Sequence, residues 1–530
     1  MLKKISTILA AGIILIMGMS SAHAYQALQG PTGVIQYNPS KAYHGYTLIS
    51  PPGELICLID MNGLVVNTWP RGGGGSVQLL ENGNILQAAG SRGEQGRYQM
   101  MDWDGKVVWA SALPADRTDI DEVHHDQILM FNKKLNAYTV LGIMRRELSL
   151  EDALAAGADP EKAKACVPDG IIEMDMNGNI VWEWWSFDHV IQDLYPDKAN
   201  YVGKGKTIAD YPGKRDMNWG RGVSGDFVHF NSVDYNPELG HIAVNHSTGS
   251  EFWIIDHDGT FIPGDPEGSK ALAAGPKGDF LFRWGNASIY GAGKGPSYEY
   301  GTSSLGDQQV FFSHDIQWIK PGFPGAGHFL YWDNNSRRPG NTFSQMLEID
   351  PYDGPMEEGV YVPEAAAGYT MSGGRDRESI SNQVVWKFNT VMYGSEGWAK
   401  GFYSIHASGC QRLPNGNTLG CATEDGHIVE VTYGDPENNV LPEVVWEYII
   451  PVTQEHGVVE TLRFDMKNES FRAYRYGPDY PGLAGKDLTP KGTIAEFYEA
   501  SKPSISESEP EPRDRGNTEG RRERRSETRN

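Results

Sequence analysis

Five of the 14 histidines in this chain stand at one recurring place: His124-His125 ahead of DQILM, His229 ahead of FNSVDY, His314 ahead of DIQWI and His406 ahead of ASGCQRL. Each precedes the first strand of what reads as a tight hairpin. Scattered surface histidines have no reason to keep that phase. Imidazoles brought together can serve as nucleophile, acid, base or metal ligand. The ordinary histidine pKa of about 6.5 leaves the neutral ring available near neutral pH. Asp126 and Asp315 follow two of the histidines, so a metal site is one reading. Arg337 and Arg338 end the hairpin that His314 opens, and guanidinium offers paired donors to a tetrahedral oxyanion. Asn231, Asp333 and Asn334 are placed to orient the imidazoles, although a turn role suits Asp333 equally.

The densest stretch is GFYSIHASGCQRLPNGNTLGCATEDGHIVEV, residues 401–431. Asn415-Gly416 between apolar runs is a strong hairpin signal, because a two-residue type I′ turn needs two positive φ angles. That turn pairs Cys410 with Cys421, and directly opposed strand residues lie within disulfide reach. A Cys410–Cys421 disulfide is therefore expected. Cys57 and Cys166 are what remains.

These residues need a scaffold that repeats. An apolar strand, an acidic turn, a second strand and then Trp recur in LIDMNGLVVNTW, MMDWDGKVVW, IIEMDMNGNIVWEW, WIIDHDGTFI…FLFRW, MLEIDPYDG…QVVWKF and HIVEVTYGDPENNVLPEVVWEY. A second hairpin runs between copies, as in SVQLLENGNILQAA and CQRLPNGNTLGCA. Two hairpins per repeat make a four-stranded unit, and six units predict an all-β, six-bladed β-propeller with long inter-strand insertions. GYTLIS (Gly45–Ser50) is expected to complete the strand set and close the ring. Innermost strands of a propeller line its central channel, so His125, His229, His314 and His406 should converge at one mouth. Of the insertions, Glu147–Asp169 should carry a helix. Together with Phe187–Gly225, Gly285–Gln309 and Pro355–Asn382 it could cover one face as a lid.

Lys3, Lys4, an apolar run from Ile8 to Met17 and Ala22-His23-Ala24 make residues 1–24 a signal peptide, so a periplasmic or secreted location is expected. No later stretch is apolar for long enough to span a bilayer. The propeller should occupy residues 25–500, and the polar, charged residues 501–530 read as a disordered tail. A net charge of −23 argues against nucleic acid as a partner.

GYTLIS…LIDMNGLVVNTW, DFVHFNSVDYN, SHDIQW…FLYWDNNSRR and IHASGCQRLPNGNTLGCATEDGHIVEV…EVVWEYIIP together resemble the bacterial aryl-sulfate sulfotransferase family, over most of residues 25–452. The resemblance implies transfer of a sulfuryl group from a small phenolic sulfate donor to a phenol acceptor, with no nucleotide donor, no cofactor and no resident metal. It makes His406 the transiently sulfated nucleophile in a ping-pong reaction, His229 and His314 its supporting histidines, and Arg337 or Arg338 the oxyanion donor. His125, Asn231 and Asn334 join them as substrate-binding residues, and Cys410–Cys421 matches the disulfide near the family's site. Two departures stand out. The family's characterised members carry an extra N-terminal β domain that is not recognisable here, which leaves oligomeric state open, a homodimer included. Ile316 stands where an asparagine that helps hold the sulfuryl group is expected. The rival readings are a quinone- or metal-dependent propeller enzyme and a non-enzymatic binding scaffold. The first typically has eight blades and an adjacent Cys-Cys pair that this sequence lacks; the second gives no reason for phased histidines.

Overall fold

The acid-turn-Trp unit folds as the outer half of each blade, and its residues explain why. In three copies the first carboxylate of the turn accepts two backbone amides: Asp60 from Asn62 and Leu64, Asp102 from Asp104 and Lys106, Asp175 from Asn177 and Asn179, all at 2.8–3.1 Å. An aspartate held this way reverses the chain by local chemistry alone. The Trp ending the second strand donates its indole N–H to the turn region of the next copy: Trp69 to Asp102 O, Trp109 to Met176 O, Trp182 to Thr260 Oγ1, Trp386 to Tyr433 O, and Trp446 back to Met61 O, all at 2.8–3.0 Å. The indoles therefore staple five of the six junctions between neighbouring units.

The computed structural model describes residues 31–90, 97–111, 113–114, 117–299, 303–340, 343–351, 356–357, 360–361, 383–390, 402–435, 438–460 and 467–501. The expected leader, the charged tail and most of the 355–382 insertion lie outside the described residues. Six antiparallel sheets of four or five strands form a six-bladed propeller. From the channel outward, blade 1 is Ala473–Tyr476, Tyr46–Ile49, Leu55–Ile59 and Val65–Pro70, and blade 2 runs from Val77–Leu79 to Val107–Ala110. Blade 3 runs from Ile120–Asn132 to Ile180–Trp185, blade 4 from Phe230–Asn236 to Phe282–Trp284, blade 5 from Ser313–Trp318 to Val384–Phe388, and blade 6 from Gly409–Arg412 to Val444–Ile449. GYTLIS does belong to blade 1, but as its second strand. Ala473–Tyr476 near the other end of the chain closes the ring by pairing with it, and Gly33–Tyr37 adds a fifth strand to the outer edge of blade 6.

The hairpin carrying Cys410 and Cys421 corrects the expected register. Leu413 N–H donates to Asn417 O (2.8 Å) and Gly416 N–H to Leu413 O (2.9 Å), with Gly416 at φ 91°. This is a three-residue loop closed by a left-handed glycine, the other hairpin that Asn-Gly supports. Cys410 consequently faces Gly420, and Cys421 faces Gly409. One residue of slip sends a side chain to the opposite face of a sheet. Cys410 packs in the apolar core it shares with Trp332 and Phe402, Cys421 in the one it shares with Trp446 and Ile450. All four cysteines are free thiols. Alkylation of the unfolded, unreduced chain is expected to label both Cys410 and Cys421; recovery of a bridged 410–421 peptide would contradict this register.

Toward the channel, a buried guanidinium ties the blades together. Arg472, just before the closing strand, donates to Asp126 Oδ2 of blade 3 (2.9 Å), lies 3.1 Å from Asp315 Oδ1 of blade 5, and donates to Asn231 O of blade 4 (2.7 Å). Asp126 also accepts Val233 N–H, and Asp315 accepts Cys410 N–H of blade 6 (3.1 and 2.8 Å). The Glu147–Asp169 insertion carries the helix Leu150–Ala156, with Ser149 capping its N-terminus and Gly157 its C-terminus. The 187–225 and 285–309 insertions share an apolar cluster containing Ile191, Ile208, Ile289 and Tyr290.

Candidate active site

In blades 3, 4 and 5 the innermost strand breaks register just at or after its histidine. Such bulges re-aim side chains at the rim of a sheet. His125 (φ 62°) and Asp315 (φ 55°) hold left-handed backbone there. His125, His229, His314 and His406 consequently line one cavity of about 330 Å³, together with Arg71, Gly74, Gly75, Phe312, Thr423, Gln454, Glu469 and Phe471. His125 and His314 come from the inner strands of blades 3 and 5, and the other lining residues from segments beside them. Among the described residues, the insertions expected as a lid contribute none of them.

His406 is the most open of the four imidazoles, with its side chain 46% exposed. Its Nδ1 lies 3.2 Å from Glu424 Oε1, and Glu424 Oε2 accepts Ile405 N–H at 2.9 Å. The hydrogen bond to Glu424 raises the His406 pKa above its ordinary value, against the opposing effect of burial. With Nδ1–H given to the carboxylate, the neutral ring keeps its lone pair on Nε2.

His314 is buried, and both of its nitrogens are committed. Nε2 accepts Ala407 N–H (3.1 Å), so the proton must sit on Nδ1, which donates to Asn334 Oδ1 (2.6 Å). Asn334 Nδ2 donates in turn to Ser404 O and Ala407 O. Burial holds the His314 pKa well below its ordinary value. This neutral ring grips the backbone beside His406 and has no N–H left for a ligand.

His124, His125 and His229 form the group among the described residues that could hold a metal ion. Their contacts define another arrangement. Arg145 Nη2 donates to His229 Nδ1 (3.2 Å), which puts the His229 proton on Nε2, facing His125 Nε2 at 3.3 Å. His125 Nδ1 then donates to His124 Nδ1, and His124 Nε2 lies 3.0 Å from Asp169 Oδ1. Asp169 also receives Arg145 Nε (3.1 Å). Each lone pair on the three rings is thus occupied by a hydrogen bond. Burial lowers the pKa of His124 and, much further, of His125, so a neutral chain is favoured.

Asn231 and Asn334, expected at the substrate, are both buried and spend their amides within the protein. Asn231 Nδ2 donates to Ser313 O (2.9 Å), and its Oδ1 accepts from Asn245 (2.7 Å). Ile316 packs in the core between blades 4 and 5, so the position marked by the missing asparagine does not reach the cavity. Neither Arg337 nor Arg338 lines the cavity. Arg337 stacks on Phe312 at 4.3 Å and Arg338 on Phe343 at 5.1 Å. Reasoning from sequence missed Arg71, Glu424 and Glu469. Arg71 stands in RGGGG, Glu424 in TEDG and Glu469 in KNES, segments far apart in the chain that only the ring brings to the histidines.

The architecture is that of a β-propeller enzyme whose channel mouth gathers imidazoles around one cavity. The arylsulfotransferase (ASST) family profile matches residues 52–347, more than half of the chain, and the chain belongs to that family. Aryl sulfotransferase activity on phenolic substrates follows from this membership. His125, His229, His314 and both arginines fall inside the matched span; His406 and Glu424 come after it. No curated protein matches the chain. Similar solved structures include a protein of unknown function from Bacteroides caccae, at 13% identity and TM-score 0.37 over 82% of this chain and 98% of that one. Another is Kuenenia stuttgartiensis hydrazine synthase, at 9% identity and TM-score 0.31 over 74% and 77%. Such values carry nothing about chemistry. Among the described residues no helix is long and apolar enough to cross a membrane.

Proposed function

We propose that this enzyme moves the sulfuryl group by double displacement through a sulfated His406. The carrying observation is that His406 lines the cavity with Nδ1 engaged by Glu424, which leaves Nε2 for attack. In the first step the Nε2–S bond forms as the S–O(aryl) bond breaks, and the phenolate leaves with the electron pair. In the second, the acceptor phenol gives up its proton to water and its oxygen bonds to sulfur as the Nε2–S bond breaks, the electron pair returning to Nε2 and the ring to its neutral form. Glu424 offsets the positive charge the imidazole carries while sulfated. His314 fixes the backbone beside the nucleophile, and His229 stands in the cavity wall with His125. A cavity of about 330 Å³ is at the small end of ligand sites, which supports donor and acceptor entering in turn. The leader at residues 1–24 supports export to the periplasm or beyond. Initial rates over a grid of aryl sulfate and phenol concentrations should give parallel double-reciprocal lines; intersecting lines would defeat the ping-pong order.

Glu424→Gln provides a test by pH. Glu424 is the largest influence raising the His406 pKa while burial lowers it, so removing the carboxylate leaves burial opposed only by the weaker pull of Glu469. Attack needs the neutral ring, so the acid limb of kcat/KM should lie above the ordinary histidine value in the parent and move to lower pH in the variant. Above that limb the variant should be slower by roughly ten- to a hundredfold, the worth of a hydrogen bond to a charged group. An unshifted limb would remove Glu424 from this role.

A further inference from the structure

We infer that Arg71, rather than Arg337 or Arg338, is the guanidinium that meets the sulfuryl oxygens. The inference rests on the proposed function only in taking the histidine cavity as the place where sulfur is transferred.

Arg71 lies in the connection from blade 1 to blade 2, in the run Pro70-Arg71-Gly72-Gly73-Gly74-Gly75. Three contacts pin it: its own N–H donates to Glu54 O (2.8 Å), Nε to Gly73 O (3.1 Å) and Nη1 to Pro51 O (3.4 Å). The loop is locked against the His125 strand, because Ser76 N–H donates to His125 O (2.7 Å). A Cβ on Gly75 would come within 2.5 Å of that same oxygen. A glycine is needed at position 75 for this approach, which delivers Arg71 to the wall of the cavity facing the histidines.

Its electrostatic state points to an anionic ligand. Burial weakens the hold on the Arg71 proton, and the charges of Glu54 and Glu469 oppose this. Arginine nevertheless stays charged at any working pH. Its side-chain hydrogen bonds go to the backbone oxygens of Gly73 and Pro51, and a partly buried cation so placed gains from an anion that bonds it directly. The alternatives are weaker on geometry. His314 has no free N–H, the His124–His125–His229 chain spends its protons within itself and on Asp169, Arg337 is held behind the lining Phe312 by stacking on its ring, and Arg338 is stacked on Phe343 outside the lining. As the S–O(aryl) bond breaks and the Nε2–S bond forms, charge on the sulfuryl oxygens would meet the fork of Arg71. Arg71 itself neither gains nor loses a proton.

The test separates this assignment from that of the nucleophile. In a His406→Ala background, binding of 4-nitrophenyl sulfate is measured by calorimetry, with Arg71→Gln, Arg337→Gln or Arg338→Gln added. Arg71→Gln should weaken binding on the order of tenfold or more, and the other two should stay within about threefold. With His406 intact, Arg71→Gln should lower donor kcat/KM by roughly 10²–10³-fold. Arg71→Lys, which keeps the charge without the fork, should keep the parent's thermal unfolding and recover only part of the loss. That variant decides the matter if Arg71→Gln does not fold. Parent-like binding and turnover in Arg71→Gln or Arg71→Lys, or an equal loss in Arg337→Gln or Arg338→Gln, overturns the assignment. Transfer by His406→Ala would instead count against the nucleophile and leave the arginine comparison readable.

Discussion

His406→Ala should lower sulfuryl transfer on the order of 10⁴–10⁶-fold, as removal of an attacking group does in other covalent mechanisms. The expectation follows from the arrangement at the cavity mouth. His406 lines it with its Nδ1 committed to Glu424, His314 is locked by Ala407 and Asn334, and His125 and His229 are tied into a hydrogen-bonded chain. Brief incubation of the parent with an aryl sulfate, without acceptor, should add the mass of one sulfuryl group to the peptide containing His406. The same peptide from the alanine variant should carry none. Because the ring is half exposed and Glu424 is its ion-pair partner, the substitution should leave thermal unfolding close to that of the parent. Label on His125 or His229, or parent-like turnover in the variant, would move the nucleophile elsewhere in the cluster.

The second large effect is on stability. Arg472→Met should destabilise the propeller by about 3–5 kcal/mol, the cost of removing one partner from a buried ionic network. The guanidinium is almost fully buried between Asp126 and Asp315 and also donates to Asn231 O, so its loss strands two carboxylates and one carbonyl. The penalty should depend on pH. Burial already raises the Asp315 pKa, with Arg472 opposing it, so without the arginine that carboxyl binds its proton still more readily in the folded chain. A folded state that binds more protons than the unfolded one gains stability as pH falls. The difference between variant and parent should therefore shrink on acidification from neutral pH. Adding Asp126→Asn and Asp315→Asn to Arg472→Met should recover part of the loss. Urea unfolding of the variant at parent-like midpoint would show that the blades are held by apolar packing alone.

Glycine-turned, Trp-ended hairpins were legible in the sequence because they carry their instruction close by: in three copies an Asp that accepts its own turn's amides, and in five a Trp whose partner lies in the next copy. Six such copies specify the blade number, and the common phase of the histidines before the inner strands specifies that they share a mouth. Register was not legible at Asn415-Gly416, because the same dipeptide serves a two-residue and a three-residue loop. That single residue decides whether Cys410 and Cys421 face each other. The closing strand Ala473–Tyr476 was missed because its partner, Tyr46–Ile49, lies more than 400 residues away and short apolar strands carry no address. Arg71, Glu424 and Arg472 stand in segments that read as turns or loops. What they contact is set by the closure of the ring, which brings the first, third, fourth, fifth and sixth blades to one channel mouth. The sequence by itself determined the repeat, the hairpins and the phase of the imidazoles, since these depend on neighbours along the chain. Tertiary structure alone decided which nitrogen of each imidazole is free and which guanidinium reaches the cavity, since those depend on groups that meet only across the channel.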